Sequence, residues 1–533
     1  MTPPRKHGRP RVALLSIAGL LIVGAATVAA WRWRSAWARD EQYSRLLNED
    51  AADVAVDAET ESRIKAFCGD CHAMPRPESF HRDQWHGEVE IGYGYYGRSG
   101  RTDLTAPPMY QTVAYFRSRA PEQLVYPEPE EAETKFHASF SIERIDSDPS
   151  AKVPLGIAGL RWAKLRADSG PVIVASDMIS GEVTALDLAD PQRRVRRLAR
   201  LNNACHVEPC DLEGDGSIGL LVADLGSFTA TDHDRGRVVW LRQDKRTGRF
   251  DPVVLASGLG RVTDVRSIDT GGTGKLDLVV AEFGSYRTGK ILLLRNVSSR
   301  GQPLRFQPEL LDPRTGTIHV PVCDLNRDGR PDFVALVSNE SESVDVFLNQ
   351  GDGKFHRQML WQAPDLAFGS SGIELVDLDG DGDLDVVYAN GDAFDNMYLS
   401  PWHGVQWLEN LGNLEFKHHR LTEMPGATVA LAGDFDGDGD LDILVVSLLP
   451  SGLGPEPAAT RQFPSVVLLE QASPGHFVRH TLERGLPCHG AVVVGDFNHD
   501  GRLDFAVGTF SIGKGGNDLG NTWLTVWWNR GNL

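Results

Sequence analysis

From residue 136 onward, short apolar runs alternate with polar, glycine-rich turns. Six segments share one pattern, in which an apolar run leads into an aspartate-rich turn and a second apolar run follows. A third run ends near Asn or another polar residue, and a fourth, short run opens with Phe. Apolar runs of this length between turn residues are typical of β-strands. The pattern therefore predicts a unit of four strands that recurs along the chain.

The spacing of the aspartate-rich turns predicts a β-propeller. They recur after 58, 55, 53, 57 and 62 residues, and a repeat of this size with four strands is typical of a propeller blade. A seventh repeat at 156–187 lacks the aspartates, and the last blade lacks its Phe-led strand. The segment 136–145 can supply that strand, which would close the ring and cover the sheet edges. We therefore predict seven blades over residues 136–533.

The turns also predict bound Ca²⁺. In the pattern Asp-x-Asp/Asn-x-Asp/Asn-Gly-x-x-Asp, several oxygens point inward and Gly allows the bend, which suits a hard cation in a structural role. The turn at Asp211 loses its last aspartate to Gly219, and the turn at Asp269 is expected to be empty because Gly271 and Thr273 stand at ligand places. The predicted ligands are Asp377, Asp379, Asp381, Asp385, Asp434, Asp436, Asp438, Asp442, Asp324, Asn326, Asp328, Asp332, Asp496, Asn498, Asp500 and Asp504.

These turns resemble the FG-GAP/VCBS family of propellers, the architecture of the integrin α-subunit head. The resemblance covers the whole repeat region and implies a calcium-binding, seven-bladed propeller. By analogy with integrin-like propellers, it also implies a function in binding or adhesion, although a fold alone does not determine a function.

A second motif lies ahead of the repeats, at Cys68, Cys71 and His72. Two thiols at this spacing can form thioethers to the haem vinyl groups, and the adjoining His can bind the iron, so we predict covalent haem c. A zinc knuckle or a chance match is the alternative. Helix-like segments at 59–67 and 110–119 flank the motif, and the second contains the aromatic pair Tyr115-Phe116.

This arrangement resembles class I cytochrome c, which implies a small all-α haem domain over 55–125, followed by a Pro- and Glu-rich linker at 126–135. By the same resemblance, Met109 is the expected sixth iron ligand, because the family places a Met ahead of its last helix. His81 and His86 are the alternatives.

The N-terminal region predicts export. An uncharged run at 12–31 is long enough to span a bilayer as a helix, and the basic segment 1–11 favours a cytoplasmic N-terminus. A cleaved signal peptide is the alternative. The expected fold class is therefore multidomain: a transmembrane helix, an all-α cytochrome c domain and an all-β propeller. The expected location is anchored to the inner membrane and facing the periplasm.

Four residues near the predicted start of the inner strands suggest a further site. His206, Asp264 and His319 lie five residues ahead of their turn aspartates, and His489 lies seven ahead. Equivalent positions converge at the mouth of a propeller channel, where imidazoles could bind a metal or a substrate. Local hydrogen bonding between blades is the alternative.

The net charge of −19 argues against a nucleic-acid partner. The motifs leave three functions open. The first is electron transfer through haem, with the propeller docking a redox partner. The second is an oxidoreductase that passes electrons from a small-molecule substrate to its own haem. The third is a non-redox binding or adhesion propeller.

Overall fold

The computed structural model describes residues 55–70, 73–146, 154–285, 287–299, 301–339, 341–351, 353–394, 397–450, 453, 462–511, 519 and 521–532. The predicted segments 1–11 and 12–31 lie outside these residues. Among the residues that the structure describes, no helix has the length and the hydropathy needed to cross a membrane. The chain divides into a helical unit, which includes 55–67 and 80–124, and a β unit, which includes 68–79 and the residues from 125 onward.

Aromatic side chains form the interior of the helical unit. Helix α2 (Trp85–Ser99) packs against helix α3 (Met109–Arg119), where the ring of Trp85 stacks on that of Phe116 with centroids 4.0 Å apart. Phe80 meets Trp85 edge to face, and Phe67 contacts the ring of Tyr93. The α-helices are α1 (Ala58–Cys68), α2 (Trp85–Ser99) and α3 (Met109–Arg119), and single 3₁₀ turns occur at Pro77–Ser79, Arg82–Gln84 and Leu366–Phe368.

The predicted fold class is wrong in its helical parts. The described chain is mainly all-β, and its three α-helices have only 11, 15 and 11 residues. The segments that suggested a cytochrome c domain do form helices. However, the apolar residues of α2 and α3 pack mainly on one another as a small aromatic cluster. Cys68–Ser79, where the cysteine motif begins, groups with the β unit. The pattern of helix, motif and helix therefore does not make a cytochrome-like all-α domain.

The prediction of a seven-bladed β-propeller is confirmed. The strands of the described chain form seven antiparallel sheets. From the innermost strand outward, blade 1 contains β2 (Ile157–Ala163), β3 (Val172–Asp177), β4 (Glu182–Leu186) and β5 (Val195–Arg200). Blade 2 contains β6 (Ala204–Cys210), β7 (Gly219–Asp224), β8 (Gly236–Gln243) and β9 (Phe250–Leu259). Blade 3 contains β10 (Val262–Ile268), β11 (Asp277–Glu282), β12 (Lys290–Asn296) and β13 (Phe306–Asp312).

In blade 4 the innermost strand is split, because Pro321 has no amide hydrogen to donate to the ladder. Blade 4 contains β14 (Thr317–His319), β15 (Val322–Cys323), β16 (Asp332–Val337), β17 (Ser343–Asn349) and β18 (Phe355–Gln362). Blade 5 contains β19 (Ser370–Val376), β20 (Asp385–Asn390), β21 (Gly404–Asn410) and β22 (Phe416–Glu423). Blade 6 contains β23 (Ala427–Gly433), β24 (Asp442–Ser447), β25 (Pro464–Ser473) and β26 (His476–Arg484). Blade 7 contains β27 (His489–Gly495), β28 (Asp504–Thr509), β29 (Thr522–Asn532) and, outermost, β1 (Ala138–Asp146).

The second strand of each blade is the most deeply buried part of the fold. Every residue is buried in the second strands of blades 2 to 7, where runs such as DVVYAN and DILVVS lie between neighbouring blades. Adjacent blades share an apolar cluster at each of the seven interfaces. Burial of both faces explains why these runs are continuously apolar and do not alternate with polar residues.

The ring closes through β1, as the sequence predicts. Each innermost strand contacts the next, and β27 contacts β2. Strand β1 pairs antiparallel with β29, placing Phe140 opposite Asn529 and Ile145 opposite Leu524. The outermost strand of blade 7 therefore comes from the start of the repeat region. This pairing joins the two ends of the ring and covers an edge that would otherwise expose unpaired amides.

Two isoleucines of β1 allow a matched test of the closure. Ile145 is 4% exposed in the cluster shared by blades 7 and 1, whereas Ile142 is 50% exposed on the other face. We expect Ile145→Ala to lower the free energy of unfolding by about 2–5 kcal/mol, because it leaves a cavity in the core. Ile142→Ala should change it by about 0.5 kcal/mol or less. Urea unfolding measures both, and equal effects would contradict the closure by β1.

Candidate functional site

The six aspartate-rich turns share one backbone shape. Each connects the innermost strand of a blade to the second strand. We number the places of a turn from its first aspartate. The sixth place is a Gly with positive φ, such as Gly382 at 95° and Gly439 at 103°. Residues with a Cβ rarely adopt this conformation, which explains the Gly at this place. The side chains, not the backbone, therefore distinguish one turn from another.

Two of the turns hold three carboxylates in a cation-binding arrangement. In blade 5, oxygens of Asp377, Asp379 and Asp381 all lie within 4.8 Å of one another. In blade 6, oxygens of Asp434, Asp436 and Asp438 do the same. Asp377 Oδ1 is buried and accepts no hydrogen bond within the described chain. We call these two turns the open turns.

The other four turns close on themselves. In each, the first aspartate accepts hydrogen bonds from the backbone amides at the fifth and sixth places, so both of its oxygens have partners. The bonds run from Asp215 and Gly216 to Asp211, from Thr273 and Gly274 to Asp269, from Asp328 and Gly329 to Asp324, and from Asp500 and Gly501 to Asp496. We call these the capped turns.

Basic side chains neutralise the fifth-place carboxylate in three of the capped turns. Arg330 pairs with Asp328, and Arg502 pairs with Asp500, from the seventh place of their own turns. Lys245 Nζ lies 3.0 Å from an oxygen of Asp215. The open turns carry Asp383 and Asp440 at the seventh place instead. In three of the capped turns a protein cation therefore pairs with the fifth-place carboxylate, which in the open turns belongs to a group of three carboxylates.

The electrostatics of the open turns fit a bound cation. Burial, together with nearby carboxylates, raises the pKa of Asp379 and of Asp436 above the usual value. The same causes raise the pKa of Asp440 to about 6. Carboxylates that repel one another in this way lose that repulsion when a divalent cation binds. The donor set, all oxygen, is the set that Ca²⁺ prefers.

The ninth-place aspartates bind backbone amides and do not join the groups of three carboxylates. Asp385 accepts from the amides of Leu378, in the turn, and Asn410, on the third strand, at 3.1 and 2.7 Å. Asp332, Asp442 and Asp504 make the same pair of bonds in their blades. All four are nearly inaccessible, and burial raises the pKa of Asp385 to about 6 and that of Asp442 to about 7. Both oxygens are thus used in joining the turn to the third strand.

Of the sixteen predicted calcium ligands, six are carboxylates that lie within 4.8 Å of one another in groups of three, one group in each open turn. Asn326 and Asn498 each donate a side-chain hydrogen bond to the fifth-place carboxylate, of Asp328 and Asp500 respectively. The turn at Asp269, which was expected to be empty, is one of the capped turns. Calcium itself stays a prediction at this point.

At the inner strands, three of the four predicted channel-mouth residues come together. His206 Nε2 lies 3.2 Å from Asp264 Oδ1, and His319 Nδ1 lies 3.7 Å from Asp264 Oδ2. In each of these strands a register irregularity precedes the residue, at 204/206, 262/264 and 317/319. Such irregularities re-aim side chains, which brings equivalent positions of neighbouring blades together.

Two arginines complete this cluster. Arg266 pairs with Asp264 at 3.0 Å and with Glu208 at 2.7 Å, and Arg161 Nη2 lies 3.1 Å from His206 Nε2. Burial lowers the pKa of His206 to about 4. Burial also acts to raise the pKa of Asp264. Arg266 and the two imidazoles outweigh this effect and hold the pKa of Asp264 well below its usual range. A guanidinium beside the imidazole repels a metal ion, so the geometry favours an ion-pair network between blades.

The fourth predicted residue lies elsewhere. His489 is 1% exposed, and its Nε2 lies 2.7 Å from Glu483 Oε2, in a pair separate from the other three residues.

On blade 5, three residues ahead of the turn, Glu374 accepts a hydrogen bond from the Ala432 amide at 2.5 Å. Burial raises the pKa of Glu374 to about 7. This acid sits at the place that Glu208 and Arg266 occupy in blades 2 and 3.

The residues predicted to bind haem are only partly described. Cys68 ends α1, whereas Cys71 and His72 lie outside the described residues. Met109 begins α3 and is half-buried. Of its alternatives, His81 caps the turn Arg82–Gln84, and His86 is 3% exposed with an Nε2 that has no hydrogen-bond partner in the described chain. The haem stays a prediction from the motif.

The sequence reasoning missed two glutamates beside the open turns. Glu409 on β21 and Glu470 on β25 each contribute to raising the pKa of the third-place aspartate of their own blade. Each is paired with a His at 2.6 Å, His419 and His480 respectively. The runs VQWLEN and VVLLEQ contained the signal, because blades 2 and 3 carry Arg at the equivalent place.

Comparison with known proteins agrees with this geometry. Residues 285–388 and 389–445 match the family model described as FG-GAP-like repeat. The chain carries FG-GAP repeats. The matched residues include the capped turn at Asp324 and both open turns.

Two curated relatives are similar over part of their length. Cartilage acidic protein 1 of Xenopus tropicalis is 25% identical over 357 residues, which cover 61% of this chain and 52% of that protein. A T-cell immunomodulatory protein homolog of Plasmodium yoelii yoelii is 24% identical over 220 residues, or 36% of this chain and 31% of that protein. The chain thus spans about half the length of the first of these relatives, and less of the second.

Among solved structures, the virginiamycin B lyase from Staphylococcus aureus is similar with a TM-score of 0.43 and 10% identity. The match covers 74% of this chain and 100% of that one. A similarity at this TM-score supports no statement about function.

The division into open and capped turns predicts how many calcium ions bind. We expect calcium-saturated protein to hold two Ca²⁺, measured by equilibrium dialysis and elemental analysis. Asp381→Ala should remove one of them, because it removes a carboxylate ligand of an open turn. Asp500→Ala, at the same place in a capped turn, should leave two. Four ions in the unmodified protein, or loss of one in Asp500→Ala, would contradict the division.

The raised pKa of Glu374 predicts part of the pH dependence of the protein's stability. Its pKa is about 7 in the folded chain, against 4.5 as the ordinary value, so the folded state binds the proton more tightly. Its contribution to stability is therefore lost as the pH rises from about 4.5 to about 7. With Ca²⁺ held constant, Glu374→Gln should lose less thermal stability than the unmodified protein between pH 5 and pH 8. Parallel profiles would show that Glu374 does not titrate in this range.

Proposed function

We propose that this chain is a calcium-stabilised, non-redox binding protein, with the propeller as its binding element. The observation that carries the proposal is the pair of open turns in the adjacent blades 5 and 6, both at the same end of the innermost strands. Two cations bound there would lie side by side on one rim of the propeller.

The exposure of the open turns supports a role in binding partners. Gly380, Asp381 and Gly382 are exposed, while Asp385 behind them is buried and holds the turn on the blade. A cation here would be fixed to a rigid sheet and also accessible to a partner's oxygen atoms. Rigid scaffolds that display loops in this manner are common in recognition proteins.

The similar proteins support a binding role only in outline. FG-GAP repeats and similarity to cartilage acidic protein 1 are consistent with a propeller that recognises a protein or a glycan. The chain spans about half of that relative, so its partners do not transfer to this chain. We propose an anionic or hydroxyl-rich partner, because carboxylate and hydroxyl oxygens complete the coordination of an exposed Ca²⁺.

The sequence motif leaves a second candidate, in which haem c at Cys68, Cys71 and His72 transfers electrons in the periplasm. This candidate rests on the motif and on the predicted export of the chain.

A single preparation tests both candidates. The full chain is expressed with haem-maturation machinery, and its pyridine haemochrome spectrum is recorded. The same protein is applied to glycan and extracellular-protein arrays with Ca²⁺ or with a chelator, alongside Asp381→Ala and Asp500→Ala.

We expect binding that requires Ca²⁺ and is weakened at least tenfold by Asp381→Ala, whereas Asp500→Ala binds normally. Binding that is indifferent to the chelator and to Asp381→Ala would contradict the proposed function. A c-type haem spectrum that is reduced by a candidate substrate, without Ca²⁺-dependent binding, would instead establish the redox candidate.

A further inference from the structure

A mixed imidazole and carboxylate group lies beside the open turn of blade 6. His137 precedes β1, and its Nδ1 lies 2.9 Å from Glu470 Oε1 and 3.7 Å from Asp436 Oδ2. One ligand atom of each residue falls within 4.8 Å of the others. Asp436 and Glu470 both belong to blade 6, and the closing strand at the start of the repeat region brings His137 beside them.

The surrounding contacts hold two of the three residues in place. The side chains of Asp436 and Glu470 are only 4% and 13% exposed. Glu470 Oε2, the oxygen that faces away from His137, lies 2.6 Å from His480 Nε2. A carboxylate ligand oriented by a second histidine in this way is a common outer-shell arrangement in metal sites.

The backbone of His137 is also fixed, although its side chain is 72% exposed. Its neighbours Phe136 and Ala138 are 5% and 6% exposed, and both belong to the apolar cluster shared by blades 6 and 7. The ring of Phe136 contacts that of His480 at 5.4 Å. The imidazole is therefore presented to solvent from a rigid edge, next to two carboxylates.

The chemistry of this group differs from that of the calcium turn it adjoins. An imidazole nitrogen with carboxylate oxygens suits Zn²⁺ and similar transition metals, whereas Ca²⁺ selects oxygen ligands. Asp436 can take part in both, because its Oδ1 accepts from the Asp438 amide inside the turn while its Oδ2 faces His137. Three protein ligands would leave at least one coordination position open to water or to a partner.

Blade 5 offers a built-in comparison. It contains the same glutamate and histidine pair, Glu409 with His419 at 2.6 Å, beside its own open turn. Among the described residues, however, no imidazole completes a metal-binding group with Glu409 there. The imidazole of His137 thus distinguishes blade 6 from blade 5.

We propose that His137, Asp436 and Glu470 form a transition-metal site that binds Zn²⁺, separate from the calcium site of the same blade. The proposal does not depend on a binding partner, and it does not require the haem.

Equilibrium dialysis of the full chain against Zn²⁺, in saturating Ca²⁺, tests this site, with bound zinc measured by elemental analysis. We expect one Zn²⁺ that Ca²⁺ does not displace. His137→Ala and Glu470→Gln should each weaken its binding at least tenfold, because each removes a ligand. His476→Ala removes an exposed His from the same blade and should leave zinc binding unchanged. Thermal unfolding confirms that each variant is folded, and Glu470→Gln keeps the shape of the side chain.

Three results would overturn the proposal. The first is that the unmodified protein binds no zinc, in which case His137 and Glu470 form an ion pair only. The second is that Ca²⁺ displaces the zinc, which would place the zinc in the open turn. The third is that His137→Ala and Glu470→Gln bind zinc as tightly as the unmodified protein and His476→Ala do.

Discussion

The propeller depends on one repeated interaction, a buried aspartate that joins a turn to the third strand of its blade. In blades 4 to 7 this aspartate begins the second strand, and each of its oxygens accepts a backbone amide, as Asp504 does from Phe497 and Asn529. A buried carboxyl oxygen without a hydrogen-bond partner would be destabilising by about 1–3 kcal/mol, and here each oxygen has one. In blades 4, 6 and 7 the same third-strand residue also reaches the preceding blade, as Asn529 does when its Nδ2 donates to the Phe435 carbonyl at 2.7 Å. The link therefore holds the blade together and ties it to its neighbour.

The chemistry of the turns varies around this link. Where the ninth-place aspartate fixes the ends of a turn, as in blades 4 to 7, the remaining side chains are free to differ. In blade 4 the turn is capped and carries its own cation, Arg330, whereas in blades 5 and 6 it stays open and presents carboxylates. Blade 2 has Gly219 in place of the aspartate, and a Cβ there would lie 2.2 Å from Trp240 Nε1, so the indole fills that space.

Much of the fold could be predicted from the sequence because strand length and turn chemistry are local properties. The four-stranded repeat, the seven blades and the closing strand at 136–145 all follow from apolar runs and their spacing. The helical unit was predicted wrongly for the same reason. A short motif between two helix-like segments reports local structure, but it does not report the packing of Trp85 on Phe116.

The sites were harder to predict because they depend on contacts between distant segments. The pattern treats Asp332 and Asp381 as equivalent ligands, yet one is buried on backbone amides and the other is exposed in an open turn. It likewise groups His489 with His206, although they have different partners. The charge at the seventh place of each turn was visible in the sequence. Only the structure shows that the side chain at the seventh place contacts the one at the fifth, as Arg330 contacts Asp328.

Amide hydrogen exchange, followed by mass spectrometry with Ca²⁺ and then with a chelator, tests the central claim most directly. If buried aspartates hold the blades and calcium occupies only the open turns, removing Ca²⁺ should increase exchange at 377–383 and 434–440. The other four turns and the second strands should keep their protection. Loss of protection across all six turns on chelation would show instead that the metal, and not the buried aspartate, holds the blades together.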